Sequence, residues 1–220
     1  MKPRSTKSTK KASKKAPVNE MRGILLLDII NYTDKTYKLS IAALDELHNQ
    51  FDHLINGLAK KYNGNIINKM GDAFLISFKD SSKAVHCAME MQDTFDKYNK
   101  DAHEDLIMHI RISINKGLVL IREHDILGTS VNIAARINSY GEAGGVIISE
   151  KVYEELDSDA FPIKYKGKKK LKGVAHPVKL YTIKTTTSER LHKRKIQHRT
   201  IIEAVIAILF IATIIAIIIL

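Results

Sequence analysis

Between residues 22 and 121 the apolar residues change their spacing in one fixed order, and that order limits the fold more than anything else in the chain. Residues 22–30 are a nearly unbroken apolar run of strand length with Asp28 near its end. Over 40–62, Ile41, Leu44, Leu47, Phe51, Leu54, Ile55 and Leu58 fall at steps of three and four, which defines one helical stripe. Residues 65–69 and 73–78 read as two short strands joined through Met70, Gly71 and Asp72. Helical spacing returns over 81–99, with Val85, Ala88, Met91 and Phe95 facing inward. Residues 106–114 alternate as a strand, and 117–121 is expected to pair with it as a hairpin.

The succession strand, helix, strand, strand, helix, strand predicts an α+β fold, a ferredoxin-like βαββαβ core with an antiparallel sheet and helices on one face. A C-terminal extension follows: a helix over 131–140, a strand over 145–149, a short helix over 150–156, a basic stretch over 164–172 and a strand over 178–183. The folded domain is expected to occupy 21–185.

Both ends differ from this domain. Residues 1–20 hold seven basic residues against the single acid Glu20 and almost nothing to bury, which predicts a basic disordered tail. It reads as a solvated leader, or as a segment drawn to anionic lipid headgroups at roughly 1 kcal/mol per basic residue. Nucleic acid is not an expected partner, because no aromatic residues interleave the charge. Residues 201–220 are apolar except Glu203 and Thr213, and a helix of that length spans about 30 Å, the thickness of a hydrocarbon core. A basic juxtamembrane linker over 186–200 precedes it, with Arg190, Lys193, Arg194, Lys195 and Arg199. The expectation is one C-terminal transmembrane helix, anchoring the chain as a single-pass protein of the cell membrane with its folded domain cytoplasmic. The single cysteine, Cys87, suits a reducing compartment and reads as a small buried hydrophobe. The nine histidines show no zinc spacing, and His86 and His109 read as packing residues.

Two acids sit where the topology brings strand ends together. Asp28 closes the first strand and Asp72 lies in the turn of the central hairpin. Aspartates at such places are often only turn formers. Paired on neighbouring strands, they also suit a hard divalent cation that brings a phosphate substrate.

The surrounding residues favour the second reading. Asp28 to Thr33 (D-I-I-N-Y-T) resembles the D-I-x-G-F-T segment of class III nucleotidyl cyclases, and 66–75 resembles their second metal motif. Residues 111–117 (R-I-S-I-N-K-G) are similar to their R-I-G-I-x-x-G strand, 125–136 to D-x-x-G-x-x-V-N-x-A-A-R, and 170–174 to the closing K-L-K-G-[VI]. The five motifs stand in the family's order from about Arg22 to Ile183.

The resemblance implies an adenylate cyclase that converts ATP to 3′,5′-cyclic AMP and pyrophosphate. Its sites would be shared across a homodimer, each with two Mg²⁺ or Mn²⁺ ions. Asp28, Asp72 and the Ile29 carbonyl would hold the metals. Backbone amides of Ile30, Asn31, Tyr32 and Thr33 would cradle the phosphates, where Asn31 and Tyr32 replace the family's Gly and Phe. Asn132 and Arg136, one helical turn apart, would orient the ribose and stabilise charge at the transferring phosphorus. Lys166 would meet the terminal phosphates, with Lys168 close by in the same hairpin. Asn68, Asp125 and the Ile126 carbonyl would read the base, and Asn68 stands where the family often has Lys. A carboxylate at 125 accepts from the adenine amine and repels the guanine carbonyl, which favours ATP. The alternatives are a guanylate cyclase of the same fold, or an inactive nucleotide-binding domain that regulates.

Overall fold

The computed structural model describes residues 17–122, 125–157, 159–188, 191, 197 and 199–209. Its sheet is built on strand β1, Val18–Ile29, so residues 18–20 open the sheet rather than belonging to the tail. The chain continues through a one-turn helix α1 (Tyr32–Thr36), helix α2 (Ile41–Lys61), strands β2 (Asn65–Met70) and β3 (Ala73–Phe78), and helix α3 (Ser81–Asp101). After a 3₁₀ turn at Glu104–Leu106 come β4 (Ile110–Arg122), β5 (Asp125–Leu127), α4 (Thr129–Asn138) and β6 (Val146–Ser149). Helix α5 (Glu150–Tyr153) and strands β7 (Ile163–Lys169) and β8 (Val178–Ile183) complete the domain. The sheet has eight strands in the order β2-β3-β1-β4-β6-β8-β7, with β5 paired to β4; β6 runs parallel to β4 and the other pairings are antiparallel.

Helices α2 and α3 cover one face, as expected, but α4 covers the other. Alternate residues of β1 therefore enter different cores. Leu25, Leu27 and Ile29 join Phe51, Phe74, Met91 and Phe95 under α2 and α3. Ile24, with Leu26 packed beside it, joins Leu75, Val119, Ile126 and Ala134 under α4. A strand buried on both sides reads as a continuous apolar run, which is why 22–30 shows no alternation. Phe51 anchors the first core edge-on against Phe74 and Phe95, at ring separations of 5.4 and 5.7 Å. Ser40 caps α2 by accepting from the Ala43 amide, and Asp80 caps α3 by accepting from the Ser82 and Lys83 amides.

The expected hairpin between 106–114 and 117–121 does not form. Those residues contribute instead to one 13-residue strand, β4, which pairs with β1 from Val18↔Ile121 to Ile29↔Ile110. Gly117 is not a turn residue. A Cβ there would lie 2.1 Å from the Ser130 Oγ, so glycine lets α4 ride directly over the strand. The hairpin partner of β4 is β5, in the register Leu120↔Leu127.

Residues 201–209 are helical, with exposed Ile201, Ile202, Ile206 and Leu209. No helix among the described residues is long and apolar enough to cross a membrane. The rest of the predicted span, 210–220, and most of the predicted tail, 1–16, lie outside the described residues.

Cys87 is fully buried on α3, where it donates to the Leu58 carbonyl. Burial first, and the Glu90 charge second, push its thiol up to about 12. The folded chain keeps the neutral thiol, so an unfolded thiol with an ordinary value ionises first. Stability is expected to fall as pH rises past about 8.5. Native protein at pH 8 should not react with a disulfide reagent, and unfolded protein should react fully; rapid reaction of the native chain would contradict this packing.

Candidate functional site

The β1–β4 register sets Asp28 directly opposite Arg111, and the β1–β3 register sets it opposite Ala73, the residue after Asp72. Arg111 grips the Asp28 carboxylate with two bonds, from Nε to Oδ1 at 2.7 Å and from Nη2 to Oδ2 at 2.9 Å. Asn138, at the end of α4, adds a third from Nδ2 to Oδ2 at 3.1 Å. The pair is half-buried, and bonding to Asp28 holds the guanidinium more firmly protonated.

Asp72 follows Gly71, whose φ of 59° closes the tight β2–β3 turn. Burial raises the Asp72 carboxyl above its ordinary value, and the nearby Asp28 charge raises it further. The Asp72 and Ile29 backbone amides and the Arg111 charge oppose the shift. The register and this charge interaction put the two carboxylates near enough to repel each other.

Among the described residues no group of three or more Asp, Glu, His or Cys side chains gathers as a metal site. A pair of carboxylates with a nearby carbonyl nevertheless fits a small hard cation, which uses one or two carboxylates and fills its shell with water and substrate phosphate. The β1–β3 register, which sets Asp28 opposite the residue after Asp72, is the local sign of that fit. Asp28 and Asp72 would hold such ions with the Ile29 carbonyl.

The phosphate segment is corrected at one residue. The Ile30 amide donates to the His109 carbonyl at 2.8 Å, so it is not free for an anion. Asn31 has φ 55°, a left-handed conformation that glycine and asparagine tolerate best. That constraint, rather than indifference to side chain, explains Asn31 where the similar family has Gly. Asn31 precedes α1, and the first amides of a helix, here those of Tyr32 and Thr33, have no intrahelical acceptor. A cavity of about 460 Å³ opens beside them, where Lys35 and Lys38 stand with the acids Asp34, Glu104 and Asp105. The Tyr32 hydroxyl bonds the His48 Nε2 at 2.7 Å, which fixes the ring from α2.

Helix α4 is fastened along β4. The Ser113 hydroxyl donates to the Ala134 carbonyl, Asn115 to the Ser130 carbonyl, and the Ser130 hydroxyl to the Leu118 carbonyl. Asn132 is exposed on it, and Arg136 lies against Gly173, where an added Cβ would be 3.2 Å from a guanidinium nitrogen.

Asn68 follows a register shift in β2, and a bulge of that kind re-aims side chains. Its neighbour Ile67 packs in the same cluster as Ile126, so Asn68 and β5 belong to one end of the protomer. Asp125 is exposed and accepts from the Ile126 amide at 2.8 Å.

Lys166 stands on β7. It pairs with Glu142 at 2.5 Å and lines a separate cavity of about 470 Å³ with Lys164 and Lys184. The backbone beside Arg136 is that of Gly173, next to the exposed Lys172. Sequence reasoning passed over Lys172 although it stands in the quoted K-L-K-G motif. It also passed over Arg111, a charge in an apolar strand, and Asn138, a polar residue on the buried stripe of α4.

A family model described as the adenylate and guanylate cyclase catalytic domain matches residues 15–185. An adenylate cyclase of Streptomyces coelicolor is 27% identical over 129 residues, covering 59% of this chain and 32% of that protein. The chain spans less than a third of the length of this and two other curated relatives, at 28% and 16%. Among solved structures, the adenylyl cyclase CyaB from P. aeruginosa is similar with a TM-score of 0.70 and 24% identity, covering 78% of this chain and 97% of that one. The guanylyl cyclase Cya2 is similar with a TM-score of 0.69 and 22% identity, covering 78% and 95%. At such identities the likeness to solved structures is one of fold.

Gly117→Ala should destabilise the domain by about 1–3 kcal/mol, because Ser130 and the start of α4 must shift. Adding Ser130→Ala should recover part of the loss by removing the 2.1 Å contact. Denaturant unfolding of the single and double variants checks both, and an undiminished single variant would contradict the close approach.

Proposed function

The chain belongs to the adenylate and guanylate cyclase catalytic-domain family, and from that membership we propose that it is an adenylate cyclase acting as a homodimer with shared sites. The observation that carries the reading is the convergence of Asp28 and Asp72 on neighbouring strands. Bound there, Mg²⁺ or Mn²⁺ ions supply charge neutralisation at the phosphates and acidify the ribose hydroxyl.

The chain's own residues do the rest. Amides from Asn31 to Thr33 receive the phosphate oxygens of ATP. Asn132 and Arg136 come from the partner protomer, which accounts for the solvent exposure of Asn132 in the single chain. Asn132 orients the ribose so that its 3′-oxygen lies in line with the α-phosphorus, and Arg136 faces the charge that develops there. The 3′-hydroxyl gives up its proton to solvent, and the bond from the 3′-oxygen to the α-phosphorus forms as the bond to the leaving pyrophosphate breaks. Lys172, beside Arg136, is the better candidate than Lys166 for the terminal phosphates. Asn68 and Asp125 read adenine, the first by donating to a ring nitrogen and the second by accepting from the amine.

Purified chain with Mn²⁺ should make cyclic AMP from ATP, with GTP poorer by about tenfold or more in kcat/KM. Asp72→Ala and Asn132→Ala should each abolish product, and mixing the two should restore part of it through one intact site per heterodimer. Product that favours GTP would reassign the substrate. A chain inert towards both nucleotides would leave a binding domain that regulates.

The proposal extends to location. The apolar stretch 201–220, with its exposed side chains at 201–209, anchors the domain on the cytoplasmic face of the cell membrane. The full chain should sediment with membranes after a high-pH wash, and a chain ending at residue 200 should not; equal release of both would overturn the anchor.

A further inference from the structure

We infer that Asn138 is a positioning residue that ties the metal-binding carboxylate of a protomer to helix α4 and so couples the two sites of the dimer. This rests on the shared-site reading above. In that arrangement Asp28 of a protomer serves one site, while its own Asn132 and Arg136 serve the other. Asn138 is the point where the two halves meet inside one chain.

The geometry is specific. Asn138 is 2% exposed and its Nδ2 lies 3.1 Å from the Asp28 Oδ2. The amide has to present its nitrogen, because an oxygen facing a carboxylate repels it. That leaves the Oδ1 buried, with no hydrogen-bond partner. A leucine of similar size would fill the same buried space with no orphaned acceptor. Packing therefore does not explain the amide, and the bond to Asp28 does.

The rest of α4 is fastened differently. Ser113 and Asn115 of β4 hold its backbone through the Ala134 and Ser130 carbonyls. Asn138 instead reaches β1 with its own side chain, from the same rigid ten-residue helix that carries Asn132 and Arg136. Arg111 and Asn138 both donate to the Asp28 Oδ2. Any turn of that carboxylate away from Arg111 has to carry the Asn138 bond with it or break it. The end of α4 is thereby made sensitive to how Asp28 is engaged.

The test uses full-length heterodimers. One protomer carries Asp72→Ala and the other Asn132→Ala, so a single intact site remains. Asn138→Leu is then placed in one protomer at a time, with Asn138→Ala as a second variant should leucine not fold. In the protomer that supplies the metal carboxylates, it should raise the Mn²⁺ half-saturation by about tenfold. In the protomer that supplies only Asn132 and Arg136, it should lower kcat by about tenfold while leaving the Mn²⁺ half-saturation unchanged. Without nucleotide, Mn²⁺ should raise the melting temperature of the Asn138→Leu homodimer less than that of the unaltered chain. A response confined to the first placement would reduce Asn138 to a local support of Asp28 and overturn the coupling, as would no response in either. A reference heterodimer that is inactive despite confirmed mixing would instead remove the shared site, and the inference with it.

Discussion

The grip of Arg111 on Asp28 depends on a single register, and most of the molecule depends on the same register. In β1, Leu25, Leu27 and Ile29 point into the core beneath α2 and α3, while Ile24, Leu26 and Asp28 point to the opposite face. A slip of one residue would drive the aspartate into the larger core and carry Leu25 and Leu27 to the α4 face. The long β1–β4 pairing prevents that slip, and it sets guanidinium against carboxylate in the same stroke. A half-buried pair of this kind adds little net stability once desolvation is counted. Its consequence is positional, because Asp28 is held at one rotamer, at the strand end nearest the Gly71–Asp72 turn.

The neighbouring Asp72 gives that position its chemistry. Burial raises the cost of ionising Asp72, and the neighbouring Asp28 carboxylate raises it further. Arg111 offsets part of this charge from one side only. A cluster that is short of positive charge and rich in oxygen is suited to a nucleotide arriving with its cations. Asn132, on the same helix as Arg136, is exposed in its own protomer, which is why a second copy enters the proposal.

Much of this was legible in the sequence. Helical stripes placed α2 and α3 nearly to the residue, and the β1–β3 register set Asp28 beside the Asp72 turn. Gly117 was misread because a glycine inside a strand signals either a turn or a close approach, and only the Ser130 contact distinguishes them. The Ile30 amide was misassigned because its acceptor, the His109 carbonyl, is remote in sequence. Lys172 was passed over because a run of lysines gives no direction, whereas the packing of Gly173 on Arg136 does. Asn138 left only a faint mark, a polar residue on a buried stripe, and its meaning comes from a partner 110 positions earlier.

The most direct measurement is anomalous diffraction from crystals of the chain grown with Mn²⁺ and a non-cyclising ATP analogue. The account predicts manganese peaks within about 2.2 Å of both the Asp28 and Asp72 oxygens, with the Arg111 bonds to Asp28 loosened. Density showing nucleotide bound, no manganese at either carboxylate and Arg111 still gripping Asp28 through two bonds would contradict it.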